Sequence, residues 1–227
     1  MLEAETLTKR FRSGHETKTV LDGVSLGVAA GEIVALRGPS GSGKTTLLKL
    51  IAGVLVPDAG EIRYDGKNIA RFRRREADHY RLQALGFVLQ RPRVVTGMSA
   101  IENAALRLMS CGMDRVQAQR AVLPILERLD LARDVDTSAR ELSEGQRQRV
   151  AIASALSTGP RLVIADEPTG CLDAETSARV LSLLTEVCKE QSVAILVATH
   201  DAQVSDAADR ILVLRGATIA ESAEVAG

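Results

Sequence analysis

Short uninterrupted apolar runs recur along the chain: Ile33-Val34-Ala35-Leu36, Leu85-Gly86-Phe87-Val88-Leu89, Leu162-Val163-Ile164-Ala165 and Val193-Ala194-Ile195-Leu196-Val197-Ala198. Runs of this length without a charge are what strands buried on both faces require. Between them apolar residues recur at helical spacing, over residues 44–52, 100–109, 115–129, 146–156 and 174–189. Pro124 falls inside one of these segments and is expected to kink or divide it. The N-terminal part differs. Residues 2–11 are mixed and read as an edge strand, residues 20–28 alternate as a half-buried strand does, and Asp65-Gly66 marks a hairpin turn after residues 61–64. A second hairpin is predicted around Gly216, between Ile211-Leu212-Val213-Leu214 and Thr218-Ile219-Ala220. Residues 71–82, opened by Arg71-Phe72-Arg73-Arg74-Arg75, read as a charged helix with a solvated face.

Strands alternating with helices predict an α/β fold, a mostly parallel sheet covered on both faces, with a small antiparallel part near the N-terminus. No strand candidate appears between about residues 92 and 142, so that stretch reads as an all-α insertion. The expected organisation is one domain, with a core from residues 1–90 and 158–227 and a helical part from 91–157.

Composition narrows the function. The 227 residues carry 29 basic and 29 acidic side chains, so no global charge calls for nucleic acid or an anionic surface. Aromatic residues are only 2% of the chain, which argues against a base-stacking platform; no nucleic acid is expected as a partner. Cys111, Cys171 and Cys188 show neither paired nor metal-ligand spacing and read as reduced cytosolic thiols. The first residues lack a signal-peptide pattern, and no apolar run approaches the roughly 20 residues needed to span a bilayer.

The candidate chemistry begins where the first apolar run ends. Gly38, Pro39, Ser40, Gly41, Ser42, Gly43, Lys44 and Thr45 form the GxxxxGK[ST] pattern between a strand and a helix, with Thr46 following. Its glycines let backbone N–H groups turn toward a chain of phosphates, and the helix N-terminus adds partial positive charge. Lys44 is placed to reach the β- and γ-phosphates and Thr45 to ligate Mg²⁺. Asp166 ends another buried run, where a carboxylate can hold the Mg²⁺ shell, and Glu167 is next to it to polarise a water. Gln90 and His200 also follow buried runs, so four separated segments converge at the carboxyl ends of the strands. Ser143-Glu144-Gly145-Gln146 opens a helix and makes a second anion-seeking N-terminus, although a plain N-cap explains Ser143 equally well taken alone. In a monomer it would be redundant; it makes sense closing over the nucleotide of another copy.

These segments, GPSGSGKT, Gln90 after GFVL, LSEGQRQRVAIA, LVIADEPTG, Cys171-Leu172-Asp173 and Thr199-His200-Asp201, resemble the ATP-binding cassette (ABC) transporter ATPases over essentially the whole length. The wording is most similar to the lipoprotein-release, macrolide-export and cell-division group. The resemblance implies a P-loop NTPase core and roles residue by residue. Phe11 stacks on adenine, Gln90 touches Mg²⁺ or water, Asp166 holds the metal, Glu167 is the general base and His200 senses the γ-phosphate. Ser143, Glu144, Gly145 and Gln146 form the signature that caps the partner's ATP, and Asp173 crosses the dimer interface. The implied cofactors are ATP and Mg²⁺. The implied partners are a second ATPase subunit, as a homodimer formed on ATP binding, and an integral membrane permease that holds the chain on the cytoplasmic face of the membrane. That permease is expected to dock near residues 90–99.

Two positions depart from the family pattern. Glu144 replaces the usual first glycine of the signature, and a carboxylate there repels a γ-phosphate unless it points away or meets a cation. Cys171 stands where Asn or Ala is common. Three other readings remain open on the sequence: powering mechanical signalling across a membrane, a soluble ABC ATPase of DNA repair or translation, and a non-hydrolysing scaffold.

Overall fold

The computed structural model describes residues 1–14 and 16–222. In chain order it forms β1 (Leu2–Ser13), β2 (Glu16–Val28), β3 (Ile33–Arg37), α1 (Lys44–Ile51), β4 (Ala59–Tyr64), β5 (Lys67–Asn68), α2 (Arg74–His79) and β6 (Leu85–Val88). Then come α3 (Ala100–Ser110), α4 (Arg115–Arg128), α5 (Glu144–Leu156), β7 (Leu162–Asp166), α6 (Ala174–Gln191), β8 (Ala194–Ala198), α7 (Ala202–Asp206), β9 (Arg210–Arg215) and β10 (Thr218–Glu221). The apolar runs make a six-stranded sheet in the order β10-β9-β3-β8-β7-β6, in which every pair except β10–β9 is parallel.

Successive side chains on these strands go to two different cores. Val34, Leu36, Leu162, Ile164 and Leu196 join α1 and the N-terminal strands. Ile33, Ala35, Val163, Ala165, Ile195 and Val197 join α3, α4, α5 and α6. The helical stretch therefore shares a core with the sheet. The short helix α1 could not persist alone. It is held by Leu47, Leu48, Leu50 and Ile51, all fully buried, each contributing about 1.5–3 kcal/mol.

The N-terminal strands form a second, four-stranded antiparallel sheet in the order β2-β1-β4-β5. The expected edge strand is thus interior, with β1 paired on one side to β2 and on the other to β4. Its pattern misled because Leu2, Ala4 and Leu7 all turn inward while Thr6, at φ 48°, breaks the alternation between them. Both hairpins are present. Asp65 and Gly66 have positive φ, as do Gly216 and Ala217, which suits the primed turns between antiparallel strands.

Pro124 does not divide its helix, since α4 runs through it without a break. Proline removes one backbone bond, to the carbonyl of Arg120. Residue 120 is exposed, so water can take that carbonyl, while Ala118, Val122 and Leu126 anchor the helix on both sides. The charged segment 71–82 is not one helix but a 3₁₀ turn (Ile69–Arg71), α2 and a π turn (Tyr80–Ala84). The π turn is pinned from both sides. The Tyr80 hydroxyl donates to the Ile51 carbonyl at 2.8 Å, and Arg107 of α3 donates to the carbonyls of Arg81, Leu82 and Leu85 at 3.1, 2.7 and 2.6 Å. The short helix α7 was not anticipated.

The strand β6 leads to Gln90 and packs under α5 through Gly86, where an added Cβ would lie 2.8 Å from the Ala155 carbonyl oxygen. Gly86→Ala is therefore expected to lower unfolding stability by about 1–3 kcal/mol, the usual range for overpacking. Chemical denaturation of the two proteins checks this.

Candidate functional site

Two glycines shape the loop between β3 and α1. At Gly38 a Cβ would sit 2.4 Å from the Leu214 carbonyl oxygen, so the loop enters against β9 only because no side chain is there. At Gly43, φ is 109° and a Cβ would meet the Val20 carbonyl oxygen at 3.0 Å. Gly43 is also the N-cap of α1 and offers no capping side chain. By contrast α3, α4, α5 and α6 each begin with a Ser or Asp whose oxygen accepts a backbone N–H. The first amides of α1 are thus left for an external anion, together with the helix dipole.

The Lys44 ammonium donates to the carbonyls of Gly38 at 2.7 Å and Pro39 at 3.3 Å, so it lies across the loop it closes. The Ser42 hydroxyl is buried with no partner among the described residues. The Thr45 hydroxyl donates to Asp166 Oδ2 at 2.7 Å, joining the start of α1 to the end of β7. Asp166 is only 5% exposed. Glu167 follows at φ 48°, a left-handed conformation costing a non-glycine residue about 1–2 kcal/mol. Its amide donates to the Ala198 carbonyl at 2.8 Å and its carbonyl accepts from Gly170 at 3.2 Å, which holds the turn. That turn leaves the Glu167 side chain 12% exposed, with Oε2 at 2.8 Å from His200 Nδ1; the imidazole is 79% exposed. The two residues read from separate segments therefore form a direct pair.

A cleft of about 780 Å³ brings these groups together, lined by Phe11, Val20, residues 38–46, Gln90, Asp166, Glu167 and His200. A larger one of about 980 Å³ adjoins Gly38 and Pro39 beside β9 and β10, lined by Arg37, Val213, Arg215 and Thr218 among others. It contains none of Lys44, Asp166 or Glu167, so the chemistry belongs to the smaller cleft. Phe11 is 41% exposed, with the Lys9 ammonium 5.6 Å from its ring centroid.

The residues expected to form the signature do not line that cleft. Ser143 instead caps α5 in a reciprocal box: the Gln146 amide donates to Ser143 Oγ at 3.1 Å, and the Ser143 amide donates to Gln146 Oε1 at 2.9 Å. Glu144 is exposed on the first turn of α5. Asp173 caps α6, accepting from the Thr176 amide at 2.9 Å and hydroxyl at 2.7 Å; those bonds hold its carboxyl below the usual carboxylate range. The sequence reading missed Val20, which lines the cleft beside Phe11. It also missed a cross-link behind the cleft, where the Thr169 hydroxyl donates to Asp201 Oδ2 at 3.2 Å. Its only signal was a polar residue after each of two buried strands.

A phosphate-seeking loop and an uncapped helix, set at the carboxyl end of a parallel sheet beside a buried aspartate, define a P-loop nucleoside triphosphatase. The chain belongs to the ABC transporter family, whose model matches residues 21–170, and it is an ABC-type ATPase subunit. A curated relative, the lipoprotein-releasing system ATP-binding protein LolD of Chromohalobacter salexigens, is 40% identical over 98% of this chain and 94% of that protein. The LolD of Legionella pneumophila is 38% identical over 94% of each chain. Among solved structures, the dimeric post-hydrolysis state of the ATP-binding cassette MJ0796 bound to ADP and Pi has a TM-score of 0.94 and 32% identity, covering 100% of this chain and 99% of that one. The structure of cbiO1 from Clostridium perfringens, part of the transporter complex cbiONQ, has a TM-score of 0.82 and 28% identity over 96% of this chain and 86% of that one.

Gly43→Ala is expected to displace the loop from Val20 and weaken ATP binding at least about tenfold, or ~1.4 kcal/mol. Isothermal titration calorimetry with ATP checks it, and an affinity equal to the parent protein's removes the loop's assigned role.

Proposed function

We propose that this chain hydrolyses ATP as one half of a head-to-tail pair and so drives a separate membrane permease, in extrusion of the lipoprotein-release type. The observation that carries the reading is the division of the site. Loop, Asp166, Glu167 and His200 share one cleft, while Ser143 to Gln146 open a helix outside it. A second copy, turned head to tail, would bring its own residues 143–146 to this cleft and receive the same in return. The pairing of MJ0796 in its dimeric structures and the names of the LolD relatives support both parts of the reading.

In this reading the uncapped amides of α1, the Ser42 hydroxyl and Lys44 hold the phosphates, Lys44 exchanging its loop carbonyls for them. Phe11 keeps one ring face for adenine while Lys9 occupies the other. A divalent ion fits the donor set present. The Thr45 hydroxyl and the Asp166 carboxylate already lie in contact, and hard oxygen donors of this kind suit Mg²⁺ with phosphates and water completing the shell. Mg²⁺, when bound there, would neutralise charge on the β- and γ-phosphates; Gln90 is the further oxygen donor at the rim. Glu167 takes the proton of the attacking water, and His200, paired with its carboxylate, orients it and meets the γ-phosphate. Asp173, the N-cap of α6, would meet the second copy.

Residues 91–157 would be the part that moves with the permease, with the docking cleft near 90–99, where Val95 is 50% exposed. No helix among the described residues is long and apolar enough to cross a membrane, so attachment at the cytoplasmic face would come from the permease.

Glu167→Gln is expected to lower the hydrolysis rate by at least about a hundredfold, as loss of a general base does, and to trap a dimer with ATP and Mg²⁺. Phosphate release and light scattering measure the two. A variant that stays monomeric and hydrolyses at the parent rate overturns both the base and the sandwich. A tagged chain should also co-purify with an integral membrane protein from detergent-solubilised membranes, and its loss should leave lipoproteins in the membrane where they are made, measured by membrane fractionation.

A further inference from the structure

One turn into the helix that Ser143 opens, Gln148 is fully buried, with 0% exposure. Its Nε2 donates to two carbonyls, those of Leu89 and Pro168, each at 3.2 Å. Neither acceptor is an arbitrary backbone group. Leu89 directly precedes Gln90 and Pro168 directly follows Glu167. A primary amide is the side chain suited to this, because its two N–H bonds diverge in one plane and can serve two carbonyls at once. The Gln148 Oε1 is buried without a partner among the described residues. A buried orphan acceptor is unfavourable, so an apolar side chain of the same length would pack better if packing were all the position required. The amide is kept for the two bonds that it donates.

We propose that Gln148 is a positioning residue for hydrolysis, bracing the segments that carry Gln90 and Glu167 against the helix that carries Ser143 to Gln146. The inference rests on the proposed ATPase reading. Gln90 and Glu167 face the nucleotide in this chain's own cleft, whereas Ser143 to Gln146 would meet the nucleotide of the second copy. One buried carboxamide therefore links the geometry of the two composite sites. A shift of α5 on engaging the partner's ATP is passed through Gln148 to the peptides beside Gln90 and Glu167.

The test compares the full chain with Gln148→Met and Gln148→Glu in steady-state hydrolysis, with ATP affinity measured separately by calorimetry. Gln148→Met fills the volume but donates nothing. Its kcat should fall about tenfold to a hundredfold, the scale of a small misplacement of reacting groups, while KM and affinity stay within about twofold and the Hill coefficient for ATP drops toward that of independent sites. Gln148→Glu turns acceptor oxygens on two carbonyls when ionised, but regains one donor when protonated. Its rate relative to the parent chain should therefore recover as pH is lowered from about 8 to about 6, burial having raised the carboxyl's pKa, and Gln148→Met should show no such recovery. If the parent chain releases no phosphate, the ATPase reading itself has failed. If the parent is active and Gln148→Met keeps its kcat within about twofold, or Gln148→Glu follows the parent's pH profile, the bracing role alone is overturned. Should Gln148→Met not fold, the pH ratio of Gln148→Glu decides.

Discussion

Because the central strands are buried on both faces, polar side chains are confined to their ends, and this constraint arranges the rest of the molecule. Val34 and Leu36 enter one core while Ile33 and Ala35 enter the other, leaving no position along β3 before Arg37 for a functional group. The same holds for β7 until Asp166 and for β8 until Thr199. Parallel pairing then brings those ends together at one edge, since β3, β8 and β7 all run the same way. The site is thus a consequence of a hydrophobic arrangement whose interior strands have nowhere else to carry chemistry.

Helix ends supply the second level of control. Among the longer helices, α1 alone leaves its first amides uncapped, and it is the one whose N-terminus faces the cleft. The α5 N-terminus is different, with Ser143 and Gln146 satisfying each other's backbone amides. It is locally complete, which keeps it folded without a nucleotide while the Ser143 hydroxyl proton is still available to donate. Glu144 fits this state too. A carboxylate in the first turn of a helix is favoured by the dipole, and in the separated chain it faces solvent. Burial, and after it the field of Glu144, push the Cys171 thiol up, so the two departures from the family pattern feel each other. In the proposed pair the cost of Glu144 would arise only when a phosphate approaches, so it would weigh against closure rather than against folding.

Much of this was legible in the sequence because the signals were local. An apolar run of strand length followed by a polar residue marked β3, β7 and β8 with their functional ends, and the glycine spacing from Gly38 to Lys44 carried its own geometry. What escaped depended on distant partners. The interior place of β1 follows from pairing with β4, far along the chain, and from a bulge at Thr6 that scrambles the alternation. Pro124 looked like a break because propensity takes no account of Val122 and Leu126 anchoring the helix on either side. The π turn at Tyr80–Ala84 depends on Arg107, whose guanidinium reaches three of its neighbouring carbonyls from another helix. Glu167 and His200 were each placed at the site, but their direct pairing needs the turn that Glu167 makes at positive φ.

The hidden polar group at Gln148 belongs to the same category, and it bears on how the proposed site would be divided between two chains. Each local element is self-sufficient: the loop is shaped by its glycines, α5 is capped, and α6 is capped by Asp173. Elements that are complete on their own can be separated and rejoined without unfolding, as the proposed cycle of pairing and release would demand. Something must nevertheless tell one element where the others are. In an interior of apolar contacts, which are non-directional, that information is poorly specified. A buried amide with two directional bonds specifies it closely, and an orphan oxygen is the structural cost of doing so. The physical division of labour is then clear: apolar packing holds the sheet and helices in place, while a few directional polar contacts, Thr45 to Asp166, Thr169 to Asp201 and Gln148 to Leu89 and Pro168, join them at the edge where the cleft opens.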